Sequence, residues 1–181
     1  MFRHKNHSGK DYKFGCLKID LSIPDDEWEK IIDSVEDSDV YKPEEDRYGK
    51  ETNPHVTVLF GIHEGVEDYE IVDICNRIDP SLIFLKIKEI DSFSNSEFDV
   101  IKLNIESDAL NDMNSMFKSL PHTNSFPDYR PHITISYLNR GTSKKYDRVL
   151  ESPMVISGIT NIIYSKPNGD KMEIVLGNSN V

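Results

Sequence analysis

The chain has 181 residues and a formal charge of -11 at pH 7, the length of one domain or of two small lobes sharing a core, able to bury roughly 70% of its unfolded surface. The charge is uneven: 13 acidic against 4 basic residues from Asp20 to Glu51, but 5 against 7 from Phe126 to Val181. A field of this sign repels polyanions and argues against a long nucleic-acid duplex, while a small phosphate ligand fits the basic half.

Two cysteines far apart, Cys16 and Cys75, suit a reducing compartment and exclude a Cys-based zinc site. The polar start "MFRHKNHSGK" lacks a signal-peptide core, and no apolar run approaches bilayer length. The sequence therefore predicts a cytoplasmic chain that needs no membrane.

In chain order, residues 12 to 21, "YKFGCLKIDL", alternate as a strand. Pro24 opens a helix through "DDEWEKIIDSV", whose acidic first turn suits the positive helix end. A charged loop with Pro43, Gly49 and Pro54 feeds the strand "NPHVTVLFGI", and "VEDYEIVDICNRI" follows with helical periodicity. Residues 82 to 93 and 98 to 107 read as a strand hairpin. Ser107 and Asp108 cap a helix that places Leu110, Met113, Met116, Phe117 and Leu120 on one side. A Pro-rich loop leads to the strand "RPHITISYL". A short charged helix is expected over 143 to 150, one strand over 154 to 164, and a last strand over 171 to 176 after the Asn168-Gly169 turn. This mixture of hairpins and helices is α+β.

The two strands that share Pro-His-x-Thr are the informative feature. Strand side chains alternate faces, so His55 and Thr57 point one way with Val56 and Val58 behind them, and His132 and Thr134 repeat the arrangement over Ile133 and Ile135. A single H-x-T is more often a core histidine beside a hydroxyl; a duplicated one preceded both times by Pro is not. Cleaving a phosphodiester takes a base for the attacking oxygen and an acid for the leaving oxygen. Two imidazoles titrating near neutrality can divide those roles. Threonines on the same faces can donate hydrogen bonds to the non-bridging oxygens. No metal or other cofactor is required, and His4, His7, His63 and His122, read as exposed, have no metal-site spacing.

The pair "PHVTV" and "PHITI" resembles the signature of the 2H phosphoesterase superfamily, and "HVTVLFGIHEGV" is most similar to its phage anti-CBASS branch, whose members cleave cyclic oligonucleotide alarm signals. The resemblance implies a single bilobal domain over 1 to 181, with two antiparallel-sheet lobes and outer helices around a central cleft. It implies a metal-independent phosphodiesterase with His55 and His132 as the acid-base pair and Thr57 and Thr134 as phosphate ligands. Its substrate would be a small nucleotide or a cyclic oligonucleotide. Tyr12 and Tyr164 would stack on bases, each worth roughly 1–3 kcal/mol.

From position alone, Arg130 and Lys166 could meet a phosphate, and Ser136, with the parity of His132 and Thr134, could extend the hydroxyl row. Two other readings compete: a 2',3'-cyclic phosphodiesterase acting on RNA ends, and a sponge that binds nucleotides without cleaving them. Which histidine is base, and whether water or a ribose 2'-hydroxyl attacks, stays open at this point.

Overall fold

The computed structural model describes residues 13–42, 48–123 and 128–178; Tyr12, His4 and His7 lie outside them. In chain order the elements are β1 (Gly15–Asp20), α1 (Asp25–Asp33), β2 (His55–Ile62), α2 (Asp68–Cys75), β3 (Leu85–Ser94), β4 (Phe98–Glu106), α3 (Asp108–Phe117), β5 (His132–Asn139), β6 (Arg148–Ile156), β7 (Asn161–Ser165) and β8 (Lys171–Val175). The fold class is α+β, as the element pattern predicts.

The eight strands form one antiparallel sheet in the order β6-β3-β4-β5-β2-β1-β7-β8. Its centre is thin. Between β2 and β5 the ladder has a single pair, Val56 opposite Ile133, which divides the sheet into two four-stranded halves. Each half's motif strand is buttressed by a helix that follows a strand of the other half, α1 against β5 and α3 against β2. Segments preceding each motif complete the seam in the same crossed manner. The Glu51 amide bonds the Ile135 carbonyl (2.8 Å) and the Tyr137 amide the Gly49 carbonyl (3.0 Å); the Thr123 amide bonds the Gly61 carbonyl (2.8 Å) and the His63 amide the Pro121 carbonyl (3.0 Å).

One face of the sheet holds the core. Leu17, Ile19, Val56, Val58, Ile133 and Ile135 pack there with Trp28 of α1, Ile71 and Ile74 of α2, and Leu110, Met113 and Phe117 of α3. Ser107 caps α3 by accepting the Leu110 amide, as its sequence position predicts. Cys16 and Cys75 are buried, and burial pushes both thiols up to about 12.

The last third departs from expectation. The charged helix is only a single 3-10 turn at 143–146, and the strand expected over 154–164 is two strands. Residues 157–160 separate them, with Gly158 at φ +75°. β6 ends one edge of the sheet, where Pro153 costs no ladder bond on the solvent side, and β7 crosses to pair with β1.

Candidate active site

Both motif strands carry the same irregularity. Lys18 pairs with Thr57 and Leu17 with Leu59, so Val58 is an extra residue in β2; Lys102 pairs with Thr134 and Ile101 with Ser136, so Ile135 is the extra residue in β5. A bulge of this kind puts two successive residues on one side and reverses the parity beyond it. Val58 and Leu59 are both buried, as are Ile135 and Ser136. The carbonyl freed at Val58 is taken by the amide side chain of Asn114 on α3 at 2.7 Å.

That bulge corrects the expectation for Ser136. It lies on the core side, fully buried, and its hydroxyl donates to the Gly49 carbonyl at 3.1 Å. The positions that return to the histidine face are Phe60 and Tyr137. Tyr137 packs edge-on against Phe98 and Tyr48 at 5.4 and 5.2 Å, and Phe60 lies edge-on to Phe14 at 6.3 Å.

The prolines explain the histidine geometry. A residue before proline is held extended, and its carbonyl is the one each imidazole uses: Nδ1 of His55 lies 3.0 Å from the Asn53 oxygen, and Nδ1 of His132 lies 2.8 Å from the Arg130 oxygen. A carbonyl only accepts, so Nδ1 carries the hydrogen in both rings. Nε2 is thereby left as the group that exchanges a proton. The prolines' own carbonyls are bonded equivalently, Pro54 by the Leu21 amide and Pro131 by the Ile105 amide.

Beside each motif strand stands a second repeated strand. Residues 14–21, FGCLKIDL, and 98–105, FDVIKLNI, share Phe, Lys and Asp/Asn at matching places. Register sets Lys18 opposite Thr57 and Asp20 opposite His55, then Lys102 opposite Thr134 and Asn104 opposite His132. Directly opposed residues share a face, so each half contributes Lys, Asp or Asn, His, Thr and a ring. Sequence reasoning about the H-x-T pair missed these lysines; the F-x-x-x-K-x-[DN] repeat was the signal for them.

Around His132, Lys102 Nζ contacts Asp91 Oδ2 (3.3 Å) and the Asn104 side-chain oxygen, while the Asn104 amide reaches Glu89 at 2.7 Å. Phe93 stands edge-on to the imidazole at 6.3 Å. Burial lowers the His132 pKa below its ordinary value; the bond to Arg130 opposes this, and Lys102 and His55 add to the lowering. A cavity of about 470 Å³ opens beside this motif, lined in part by Asp91, Lys102, Asn104, Tyr129, Arg130 and Pro131. Tyr129 ties the halves together by donating from its hydroxyl to the Thr57 carbonyl at 2.9 Å.

The structure thus brings His55, Thr57, His132 and Thr134 onto one face of adjacent strands. Arg130 borders the cavity with an exposed side chain and serves His132 through its carbonyl. Tyr164 and Lys166 are not at this face. Tyr164 is 1% exposed in the core, its ring lying where a Cβ on Gly15 would come within 2.8 Å, so neither ring face is open to a base. Lys166 pairs with Asp68 of α2 at 2.6 Å, on the helix side. His63 and His122 are half-buried at the seam; His63 contacts the Thr123 hydroxyl at 2.8 Å and stacks on Phe14.

Comparison with known proteins fits this geometry. The model of the family described as anti-CBASS protein Acb1 matches residues 50–158, more than half of the chain and including both motifs. The chain belongs to the Acb1 family. Its fold is that of the 2H phosphoesterases. Usb1 of Kluyveromyces marxianus, solved with uridine monophosphate, superposes with a TM-score of 0.59 at 11% identity over 91% of this chain and 98% of Usb1. LigT of E. coli, solved with 3'-AMP, gives 0.52 at 18% identity over 92% and 96%. No curated protein sequence matches this Acb1-family chain. Among the described residues no helix is long and apolar enough to cross a membrane.

Proposed function

We propose that this Acb1-family chain is a phosphodiesterase that cleaves cyclic oligonucleotide signals of antiphage immunity by two-histidine acid-base catalysis. The observation that carries this reading is the pair of imidazoles on one face, both fixed through Nδ1 to a carbonyl, each beside a threonine. Family membership supports the substrate class, and the nucleotides in the Usb1 and LigT structures agree with a small nucleotide ligand. The chain acts as one bilobal unit, since the segment leading into each motif strand bonds the motif strand of the other half.

The phosphate sits between the motifs, with the Thr57 and Thr134 hydroxyls donating to its non-bridging oxygens as charge develops. His132, lowered chiefly by burial, is the neutral imidazole near pH 7; its Nε2 takes the proton of the attacking oxygen. His55 in its protonated form gives a proton from Nε2 to the leaving oxygen. The attacking group is either water or a neighbouring ribose 2'-hydroxyl, the latter leaving a cyclic phosphate. Neither proton transfer needs a metal ion, and no group of three His, Cys, Asp or Glu suited to holding one occurs among the described residues. Phe93, 42% exposed and edge-on to His132, has an open surface for a base.

The test is incubation with cyclic di- and trinucleotides and 2',3'-cyclic mononucleotides in EDTA, followed by chromatography. Cleavage of the cyclic oligonucleotides is expected. Turnover confined to the 2',3'-cyclic compounds would instead make this an RNA-end enzyme, and tight binding without product would make it a sponge. Activity abolished by chelator and restored by Mn²⁺ or Zn²⁺ would refute the metal-free mechanism.

A further inference from the structure

The two threonines and two histidines leave the electrostatics of the site unexplained. A phosphodiester is an anion, the chain carries -11, and the residues assigned so far offer only neutral hydroxyls and one imidazolium. Lys18 and Lys102 occupy equivalent places in the duplicated unit, each directly across from the threonine of its half. Opposed Cβ atoms on antiparallel strands lie about 5 Å apart, so either ammonium can reach an oxygen already bonded to the adjacent threonine. Lys102 also lines the cavity beside the second motif.

We propose that Lys18 and Lys102 are phosphate-binding residues of the cleft, each turning an ammonium hydrogen onto a non-bridging oxygen of the bound phosphodiester, beside Thr57 and Thr134 respectively. This rests on the phosphodiesterase reading above and extends it to residues outside the H-x-T motifs; Lys18 also lies outside the segment matched by the family.

The partners of both lysines permit the movement. Lys18 is held by Asp20 at 2.6 Å, but that carboxylate is half exposed and water can solvate it. Lys102 makes a longer contact to Asp91, whose oxygens also accept from the Ser92 amide at 2.7 Å and the Asn104 amide at 3.3 Å. Asp91 is therefore not orphaned when the lysine turns. An ammonium has three donors on a flexible stem, so one can stay with its resting partner while another meets the phosphate. The pairs with Asp20 and Asp91 keep two partly buried cations satisfied. They also leave Asp20 and Asp91 to repel misplaced phosphate.

The experiment compares the whole chain with Lys18→Met, Lys102→Met, the double variant, and Lys18→Arg and Lys102→Arg. Inorganic phosphate binding is measured by calorimetry, and kcat/KM on whichever cyclic oligonucleotide the wild type cleaves. Each Met substitution should weaken phosphate binding and lower kcat/KM by roughly 10- to 10²-fold, the scale of a charged hydrogen bond. Each Arg variant should recover most of the loss, and the double Met variant should show a shallower salt dependence. His132 followed by NMR should titrate at higher pH in Lys102→Met but not in Lys18→Met, a shift that a packing role would not produce.

Phosphate affinity and kcat/KM within twofold of wild type in both Met variants would overturn the lysine assignment while leaving the phosphodiesterase reading intact. A wild type that cleaves nothing would fail that reading, and phosphate binding would still decide on the lysines. If Lys102→Met does not fold, Lys18→Met carries the test, because its partner Asp20 is solvated.

Discussion

Gly61 connects the fold to the site through a magnitude that the backbone dictates. It follows Phe60 in β2 at φ +92°, and a Cβ there would stand 1.9 Å from the Thr123 carbonyl oxygen, where real Cβ contacts essentially never fall below 3.0 Å. Gly61→Ala therefore imposes two costs. The left-handed backbone costs an L-residue about 1–2 kcal/mol, and displacing Thr123 sacrifices its 2.8 Å amide bond to the Gly61 carbonyl, about 1 kcal/mol more. The sum, about 2–3 kcal/mol, should lower the urea midpoint by roughly 1–1.5 M for a slope near 2 kcal/mol/M. Gly141→Ala is the control. Its φ is +89° but nothing lies within 4 Å of a Cβ, so it should show the backbone term alone. Because Thr123 leads toward the second motif, Gly61→Ala should also lower kcat/KM in protein that remains folded. Equal midpoints for the two variants would refute the steric reasoning, and an unshifted Gly61→Ala would refute the backbone argument as well.

Replacing His55 or His132 with Ala should each lower kcat by roughly 10²- to 10⁴-fold, and the double variant should be far less than multiplicatively worse, since the pair acts as one unit; full activity in either single variant would end the two-histidine mechanism. Folding stability should carry the signature of His132, whose folded pKa lies below the ordinary 6.5. The unfolded chain then binds more protons in that window, so the contribution is complete above about pH 6.5 and is lost as pH falls toward the folded value. Urea unfolding at pH 7.5 and pH 5 should show the gap between wild type and His132→Ala narrowing at the lower pH. Lys166→Glu should leave KM unchanged and lower stability by less than about 1 kcal/mol, because it breaks a surface pair with Asp68; a raised KM would return that lysine to the site.

What the sequence made legible was whatever depended on unbroken periodicity. The alternation around His55 and His132, the β3–β4 hairpin and the Ser107 cap are local patterns, and the structure has them. Ser136 failed because a bulge adds one residue without altering composition, and a hydroxyl tolerates the core once Gly49 accepts its hydrogen. The segment SKKYDRVL has helical makings, yet Tyr146 is fixed from elsewhere: its hydroxyl donates to Asp39 at 2.6 Å and accepts from the Glu36 amide at 3.1 Å. Long-range bonds of this kind override local propensity. Tyr164 looked available because nothing local shows that Gly15, on a strand far away in sequence, leaves the space that its ring fills.

The duplicated unit also explains how a nearly symmetric scaffold can run an asymmetric reaction. Both halves repeat Phe, Lys, His and Thr, but the residue across from the motif histidine is Asp20 in one and Asn104 in the other. The second half surrounds its histidine with burial and with Lys102, both of which favour the neutral ring. General acid-base cleavage needs one ring in each form at the same pH. Identical halves would titrate together and spend most of their population with both rings protonated or both neutral. Burial and Lys102 bias His132 toward its neutral form without disturbing the geometry that the halves share. The crossed seam contributes the rest: with only Val56 and Ile133 paired directly, the segments at 48–51 and 121–123 and the Tyr129 hydroxyl hold the two half-sites against one another. Chemical difference between the halves is thus written beside the motifs, and their separation is set by connectors that no strand pattern reveals.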